Sequence, residues 1–437
     1  MDKRYRNILI SIIVALLGYF AAGFVFDATQ SRLIGVVILL VALWSNEALP
    51  FGIVSLFPII LFPTLDILTM PMTSANYSKT IIFLFLGGFM IAIAIEKTQL
   101  HKKIAHKLLS IFPDSARGMI YALSITSALL SSLLSNTTTA LLLMPIALFL
   151  TDIKKLKMRL ALAIAYGASI GGIMTPVGTP PNLILMGFLE EHSIETLSFF
   201  AWMLKTVPLA ALMLLLIPYI LSLGMGKIVI ADVADTSHTL NTEQNRLKNI
   251  LFLLITLLFV NSFFKISDTI ILLSFGLAMF LPKIGFLEWE DTKKIPYEII
   301  FLFGAGFSIA AAFSHSGLAK EISQMLLSLT QLSPIFLFLI VASLVTFATE
   351  LTSNMALISI ALPIIYSLGI ASNIDTNTLL MVATICASYA FMLPIATAPN
   401  AIAMSSRAVS VKDMASFGII FNIVAIIMTT TIAFLIW

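Results

Sequence analysis

The amino-acid sequence predicts an all-α polytopic membrane protein of about 11 transmembrane helices, built as two inverted repeats that each carry a re-entrant hairpin and a broken helix. Three observations predict it. First, 59% of the 437 residues are hydrophobic and 11% are charged, with a mean hydropathy of +1.04, which excludes an ordinary soluble domain. Apolar runs near the ~20 residues that cross a bilayer recur along the whole chain, which excludes a soluble domain on one anchor. Second, the chain repeats itself at a constant offset. Ile81-Ile82-Phe83-Leu84-Phe85 returns as Ile299-Ile300-Phe301-Leu302-Phe303, Gly88-Phe89 as Gly306-Phe307, and Leu108-Leu109-Ser110 as Leu326-Leu327-Ser328. Ser135-Asn136 returns as Ser353-Asn354, Pro145 as Pro363, and Asn182 as Asn400, every pair 218 positions apart. A spacing so constant through polar and apolar stretches reads as a duplication, with a period too long for a solenoid. Third, the charge-free stretch from Gly118 to Leu150 is bounded at both ends by basic clusters, so both of its ends belong on the same, positive side of a membrane.

Taken in order, spans are predicted at 8–26, 32–50, 51–68 and 79–97, each bounded by polar or charged residues or by proline. The basic start, Lys3, Arg4 and Arg6, precedes an apolar run without a convincing cleavage site and reads as a retained first helix with a cytoplasmic N-terminus. Residues 98–117 place Lys102, Lys103, Lys107 and Arg117 among helically spaced apolar residues, as in an amphipathic helix on the membrane surface. The segment 118–150 is then a hairpin that enters and leaves on the inside, with Ser135-Asn136-Thr137-Thr138-Thr139 at its tip. Irregular backbone at that depth is tolerated only in protein or beside a cavity. A span from about 160 is broken at 175–182 by Thr175-Pro176-Val177-Gly178-Thr179-Pro180-Pro181-Asn182, where three prolines interrupt the hydrogen-bond ladder. After a span at 202–224, residues 225–248 form a polar connector. The second half offers spans at 249–264, 268–285 and 296–314, a hairpin at 333–368, a span broken at 394–400 and a last helix at 412–436. The weak basic flanks of this second hairpin place its entry outside, which inverts it relative to the first and puts the C-terminus outside. The predicted units are scaffold helices in 1–78, a first repeat in 79–224 and a second in 249–436.

Two hairpin tips, Ser135-Asn136-Thr137 and Ser353-Asn354-Met355, are expected to converge near the midplane with two breaks, Gly178-Thr179-Pro180-Pro181-Asn182 and Ala396-Thr397-Ala398-Pro399-Asn400. Amides, hydroxyls and half-helix N-termini offer hydrogen-bond donors suited to a carboxylate or another oxyanion. Neither 118–150 nor 334–400 contains Lys, Arg or His. An uncompensated dianion at membrane depth is prohibitively costly, so a bound cation is the expected counter-charge. The motifs contain no His and no acid pair, which argues against an enzyme. The net charge of +3 reads as cytoplasmic loops rather than a nucleic-acid partner.

The paired Ser-Asn-Thr-type tips and paired Gly-Thr-Pro-Pro-Asn and Ala-Thr-Ala-Pro-Asn breaks resemble the divalent anion/sodium symporter family, over nearly the whole chain. The resemblance implies a sodium-coupled dicarboxylate transporter of the cell (inner) membrane, a homodimer working by an elevator mechanism, with Na+ as coupling ion and no other cofactor. By position, a first sodium site takes Ser131, Ser135, Asn136 and Gly178, and a second takes Thr349, Thr352, Asn354 and Ala396. The substrate carboxylates meet Asn136, Thr137 and Thr179 on one side and Ser353, Asn354 and Thr397 on the other. C4-dicarboxylates such as succinate, malate or fumarate lead; sodium-independent exchange, or an inorganic dianion such as sulfate, stays open. Met355 stands where the family's second motif usually has threonine, and Ala398 where a proline is often found, which leaves the second anionic group in question. Glu350 reads either as a functional intramembrane acid or as a partner of nearby backbone, Glu47 as structural, and Cys386 as a plain buried thiol. His101, His106 and His192 lack metal-ligand spacing and are placed in loops or on surface helices.

Overall fold

A computed structural model describes residues 3–46, 48–192, 194–225, 240–264, 267–325, 332–394 and 396–437. Glu47, the 326–328 part of the repeat, residues 226–239 of the connector and position 395 of the second break lie outside the described residues. Helices account for all the regular structure described. Eight of them are long and apolar enough to cross a membrane, and five shorter apolar helices accompany them. On the first helix Leu9, Ile12, Leu16, Leu17 and Phe20 are exposed, as suits a lipid-facing surface.

The first half runs through α1 (Lys3–Ala22), α2 (Ala28–Asn46), α3 (Phe51–Val54), α4 (Phe57–Thr64), α5 (Met70–Ala75), α6 (Thr80–Lys97) and α7 (Leu100–Leu109). The expected span 51–68 is broken at Ser55-Leu56. Pro58 has no N–H to continue the ladder, and the Ser55 carbonyl instead accepts the Tyr77 hydroxyl at 2.6 Å. The surface helix α7 exposes Lys102 and Lys107, while His101, expected at the surface, is buried with Nδ1 3.0 Å from the Ile95 carbonyl. The hairpin is α8 (Ala116–Ser131) and α9 (Asn136–Phe149), followed by α10 (Lys154–Ile173), α11 (Pro180–Glu191) and α12 (Phe199–Ser222). Gly167 and Gly171 of α10 let it lie directly on the backbone of Ser124 and Ala128 in α8, where any Cβ would overlap carbonyl oxygens.

The second half holds α13 (Thr242–Phe264), α14 (Asp268–Ala278), α15 (Tyr297–His315), α16 (Leu318–Met325), the hairpin α17 (Pro334–Thr349) and α18 (Asn354–Ala371), then α19 (Thr376–Cys386), α20 (Ala398–Ser405) and α21 (Val411–Leu435). The polar connector is shorter than predicted, because α13 already begins at Thr242. Asn241 and Gln244 cap it reciprocally: Gln244 N donates to Asn241 Oδ1 at 2.8 Å, and Asn241 N to Gln244 Oε1 at 3.1 Å.

The same pair of bonds opens α2, between Asp27 and Gln30, and the two glutamines then cross between the halves. Gln30 Nε2 donates to the Ser316 carbonyl and Gln244 Nε2 to the Thr98 carbonyl, both at 3.0 Å; Thr98 and Ser316 are themselves repeat equivalents. Gln99 and Gly317, again equivalents, both take left-handed turns. The rings of the equivalents Phe85 and Phe303 stack on each other at 4.3 Å. Positions 218 apart in the sequence thus share local geometry at these points. Two apolar clusters form the core, a large one through the hairpins and broken helices and a smaller one through α2, α4, α15 and α16. Met355 packs against both.

Candidate functional site

The first break is held open by side chains that take the orphan carbonyls at the end of α10. Trp202 Nε1 donates to Ile173 O at 3.0 Å and Thr206 Oγ1 to Met174 O at 3.1 Å. Asn182 Nδ2 donates to Gly172 O and Thr175 O at 3.0 and 2.9 Å. Gly178 packs so closely on Gly172 that a Cβ would strike its carbonyl. The second break repeats the scheme, with Asn400 Nδ2 donating to Ala390 O at 2.7 Å and Leu393 O at 3.0 Å.

Where the first break is tied to its hairpin by Thr175 Oγ1 donating to Ser132 O at 2.6 Å, the second uses Glu350, the repeat equivalent of Ser132. Its buried carboxylate accepts the N–H groups of Met392 and Leu393 at 2.8 and 3.0 Å and the Asn422 amide at 2.7 Å. This is the backbone-partner reading of Glu350. Cys386 is a buried free thiol.

At the hairpin tips the two asparagines are held alike. Ser131 Oγ donates to Asn136 Oδ1 at 2.5 Å and Thr349 Oγ1 to Asn354 Oδ1 at 2.6 Å. Ser135 Oγ caps α9 by accepting the Thr138 N–H at 3.1 Å, while Ser353 caps α18 without a side-chain bond. The first-turn N–H groups of α9 and α18 have no intrahelical acceptor, so Asn136, Thr137, Asn354 and Met355 each offer one. The starts of α11 and α20 offer fewer, because Pro180, Pro181 and Pro399 carry none.

A cavity of about 550 Å³ joins these parts. Ser135, Asn136, Thr137, Gly178, Thr179, Thr352, Ser353, Asn354, Ala396 and Thr397 line it. Ser131 and Thr349 do not; both are fully buried behind the asparagines they bond. All four motifs thus meet at one site. Motif reading alone misses the wall opposite them, which includes Trp44, Phe85 and Phe89, and two charged residues at the rim, Glu96 and Lys294.

Residues 37–385 match the family described as Citrate transporter (CitMHS). The chain belongs to the citrate transporter family. Members of this family are transporters, so this chain is a multi-pass membrane transport protein and not an enzyme. It is 31% identical over 431 residues to the sodium-dependent dicarboxylate transporter SdcS of Staphylococcus aureus strain NCTC 8325 / PS 47, covering 90% of this chain and 83% of that one. It is 32% identical over the same length to SdcS of the bovine strain RF122 / ET3-1. These matches bear out the resemblance to the divalent anion/sodium symporters. Among solved structures the fold of this chain is similar to that of Neisseria gonorrhoeae MtrF, of a class of antimetabolite efflux pumps. That likeness has a TM-score of 0.62 at 12% identity and covers 94% of this chain and 95% of that one. The Alcanivorax borkumensis YdaH transporter matches with a TM-score of 0.55 at 12% identity over 83% of this chain and 85% of that one.

Proposed function

We propose that this chain imports C4-dicarboxylates such as succinate, malate or fumarate together with sodium ions, across the cell membrane. The observation that carries the reading is the convergence of both hairpin tips and both helix breaks on one cavity that is rich in neutral donors and oxygen ligands. The sodium-dependent dicarboxylate relatives supply the substrate class and the coupling ion. In this reading Ser131, Ser135, Asn136 and Gly178 hold one sodium ion and Thr349, Thr352, Asn354 and Ala396 a second. Thr137, Thr179, Ser353 and Thr397, with the two asparagines, meet the carboxylates.

Eleven spans, two hairpins entering from opposite sides, a repeat in 79–224 and another in 249–436 complete the topology, with the N-terminus inside and the C-terminus outside. Alternating access by an elevator movement in a homodimer belongs to the same proposal. The crossed glutamine bonds and the Phe85–Phe303 stack support a two-fold relation between the halves.

The test is uptake of labelled succinate into proteoliposomes under an inward sodium gradient, compared with potassium on both sides, with and without internal succinate. Uptake that requires sodium and needs no internal substrate is expected. Uptake that ignores sodium but needs internal succinate identifies an exchanger instead, and no uptake in either condition directs the assay to sulfate, which Met355 keeps open.

Met355 itself tests the outer half of the site. Met355→Thr places a hydroxyl at the position 218 residues on from Thr137 and is expected to retain or lower the KM for succinate. Because Met355 packs against both clusters, the same change should reduce stability by about 1 kcal/mol, read as a lower Tm. A raised KM would instead make the methionine part of a different substrate pocket.

A further inference from the structure

The four motifs contribute no charge to the cavity, and among its lining residues only Glu96 and Lys294 are charged. Both sit at one rim, Glu96 in the last turn of α6 and Lys294 at the end of the 3-10 helix Trp289–Lys294. That rim is a built structure. Glu288 and Asp291 cap the 3-10 helix reciprocally, with Glu288 N donating to Asp291 Oδ2 at 2.9 Å. Thr292 Oγ1 donates to Trp289 O at 2.6 Å. Lys97, beside Glu96, clamps α6 to this helix through a 2.6 Å ion pair with Asp291.

Burial works to raise the Asp291 pKa, but the hydrogen bond and charge of Lys97, the Glu288 N–H and the charge of Lys294 outweigh it, so the carboxylate lies below its ordinary value. The Lys97–Asp291 clamp therefore persists as pH falls until that lowered pKa is reached. It also consumes Lys97. Among the described residues no carboxylate oxygen lies within 4.0 Å of Lys294, and no ion pair joins it to Glu96. Lys294 thus lines the cavity without an ion pair of its own, and the cavity's other donors are neutral.

We propose that Lys294 is a specificity-determining residue of this transporter: it captures a carboxylate of the anionic substrate at the rim and favours dianions over monoanions on their way to or from the asparagines. The inference rests on the dicarboxylate reading above. Glu96 has the opposite effect on the same anion. A charge without an ion-pair partner at the mouth of a low-dielectric cleft raises the local concentration of an oppositely charged ligand, and added salt screens it.

The test is binding of labelled succinate to purified protein at fixed sodium, with ionic strength raised by potassium chloride. Lys294→Gln should weaken binding about threefold and Lys294→Glu about tenfold, with a flatter salt dependence in both. Lys294→Arg should restore the wild-type values. Glu96→Gln should tighten binding, and a monoanionic half-ester of succinate should respond less than succinate to every change.

An unchanged Kd and salt dependence in Lys294→Glu overturns the proposal, and so does weaker binding in both Lys294→Gln and Glu96→Gln, because damage to the rim carries no sign. Failure of the wild-type protein to bind succinate overturns the dicarboxylate reading instead.

Discussion

Asn136→Ala and Asn354→Ala should each abolish sodium-driven succinate uptake while the protein remains folded. Each asparagine begins a hairpin helix, lines the cavity and is held by a hydroxyl from the preceding helix, Ser131 at 2.5 Å and Thr349 at 2.6 Å. In the proposed site each serves a cation through its amide oxygen and a carboxylate through its donors, so alanine removes both at once. Their effect on stability is small by comparison. One hydrogen bond is lost, worth about 1 kcal/mol, and the hydroxyl left behind has another acceptor in the second repeat, where Thr349 Oγ1 also donates to Ala387 O at 2.9 Å. Thermal unfolding should therefore shift by a few degrees while uptake falls to background. Normal uptake by either variant would refute the site assignment.

The equivalence of the halves is what made so much of this site legible in the sequence. A motif that occurs once in an apolar helix has many explanations, whereas Asn136 and Asn354, or Asn182 and Asn400, at one offset share one. The segment 118–150, predicted as a hairpin, holds two helices, Ala116–Ser131 and Asn136–Phe149, that meet at the Ser-Asn-Thr motif. The capping pair Asn241 and Gln244 was also written in the sequence, and a start signal of that kind places α13 inside the apparent connector. Lys294 and Glu96 carried no such sign. They lie outside the motif windows, at helix ends ordinary for charged residues, and only the tertiary approach of α6 to the 3-10 helix turns them toward the cavity. Trp202 and Thr206 are similar: nothing local marks them as the groups that cap α10 from another helix.

Glu350 separates the two halves, and its replacement should have the second large effect. The first break rests on a neutral bond from Thr175 to the Ser132 carbonyl, whereas the second hangs its Met392 and Leu393 amides and the Asn422 side chain on one carboxylate. Glu350→Ala leaves the buried Asn422 amide and the part-buried Met392 and Leu393 N–H groups without an acceptor, at about 1–3 kcal/mol each at most, which is enough to unfold the second break or the whole domain. Poor expression or a strongly lowered Tm is the expected result. Glu350→Gln is the informative variant. It keeps the shape and one good acceptor, but it points an amide N–H₂ at N–H groups that need an oxygen, and it removes a buried negative charge. Along the chain Glu350 falls between Thr349 and Thr352, the proposed ligands of the second cation, and it has no ion pair to a Lys or Arg among the described residues. In the proposed site a bound sodium ion would compensate it. Glu350→Gln should therefore fold, with the sodium concentration for half-maximal uptake raised about tenfold, while Ser132→Ala, at the equivalent position of the first repeat, leaves it near the wild-type value. If Glu350→Gln lowers succinate affinity at saturating sodium and leaves sodium dependence unchanged, the carboxylate acts only by holding the break in shape.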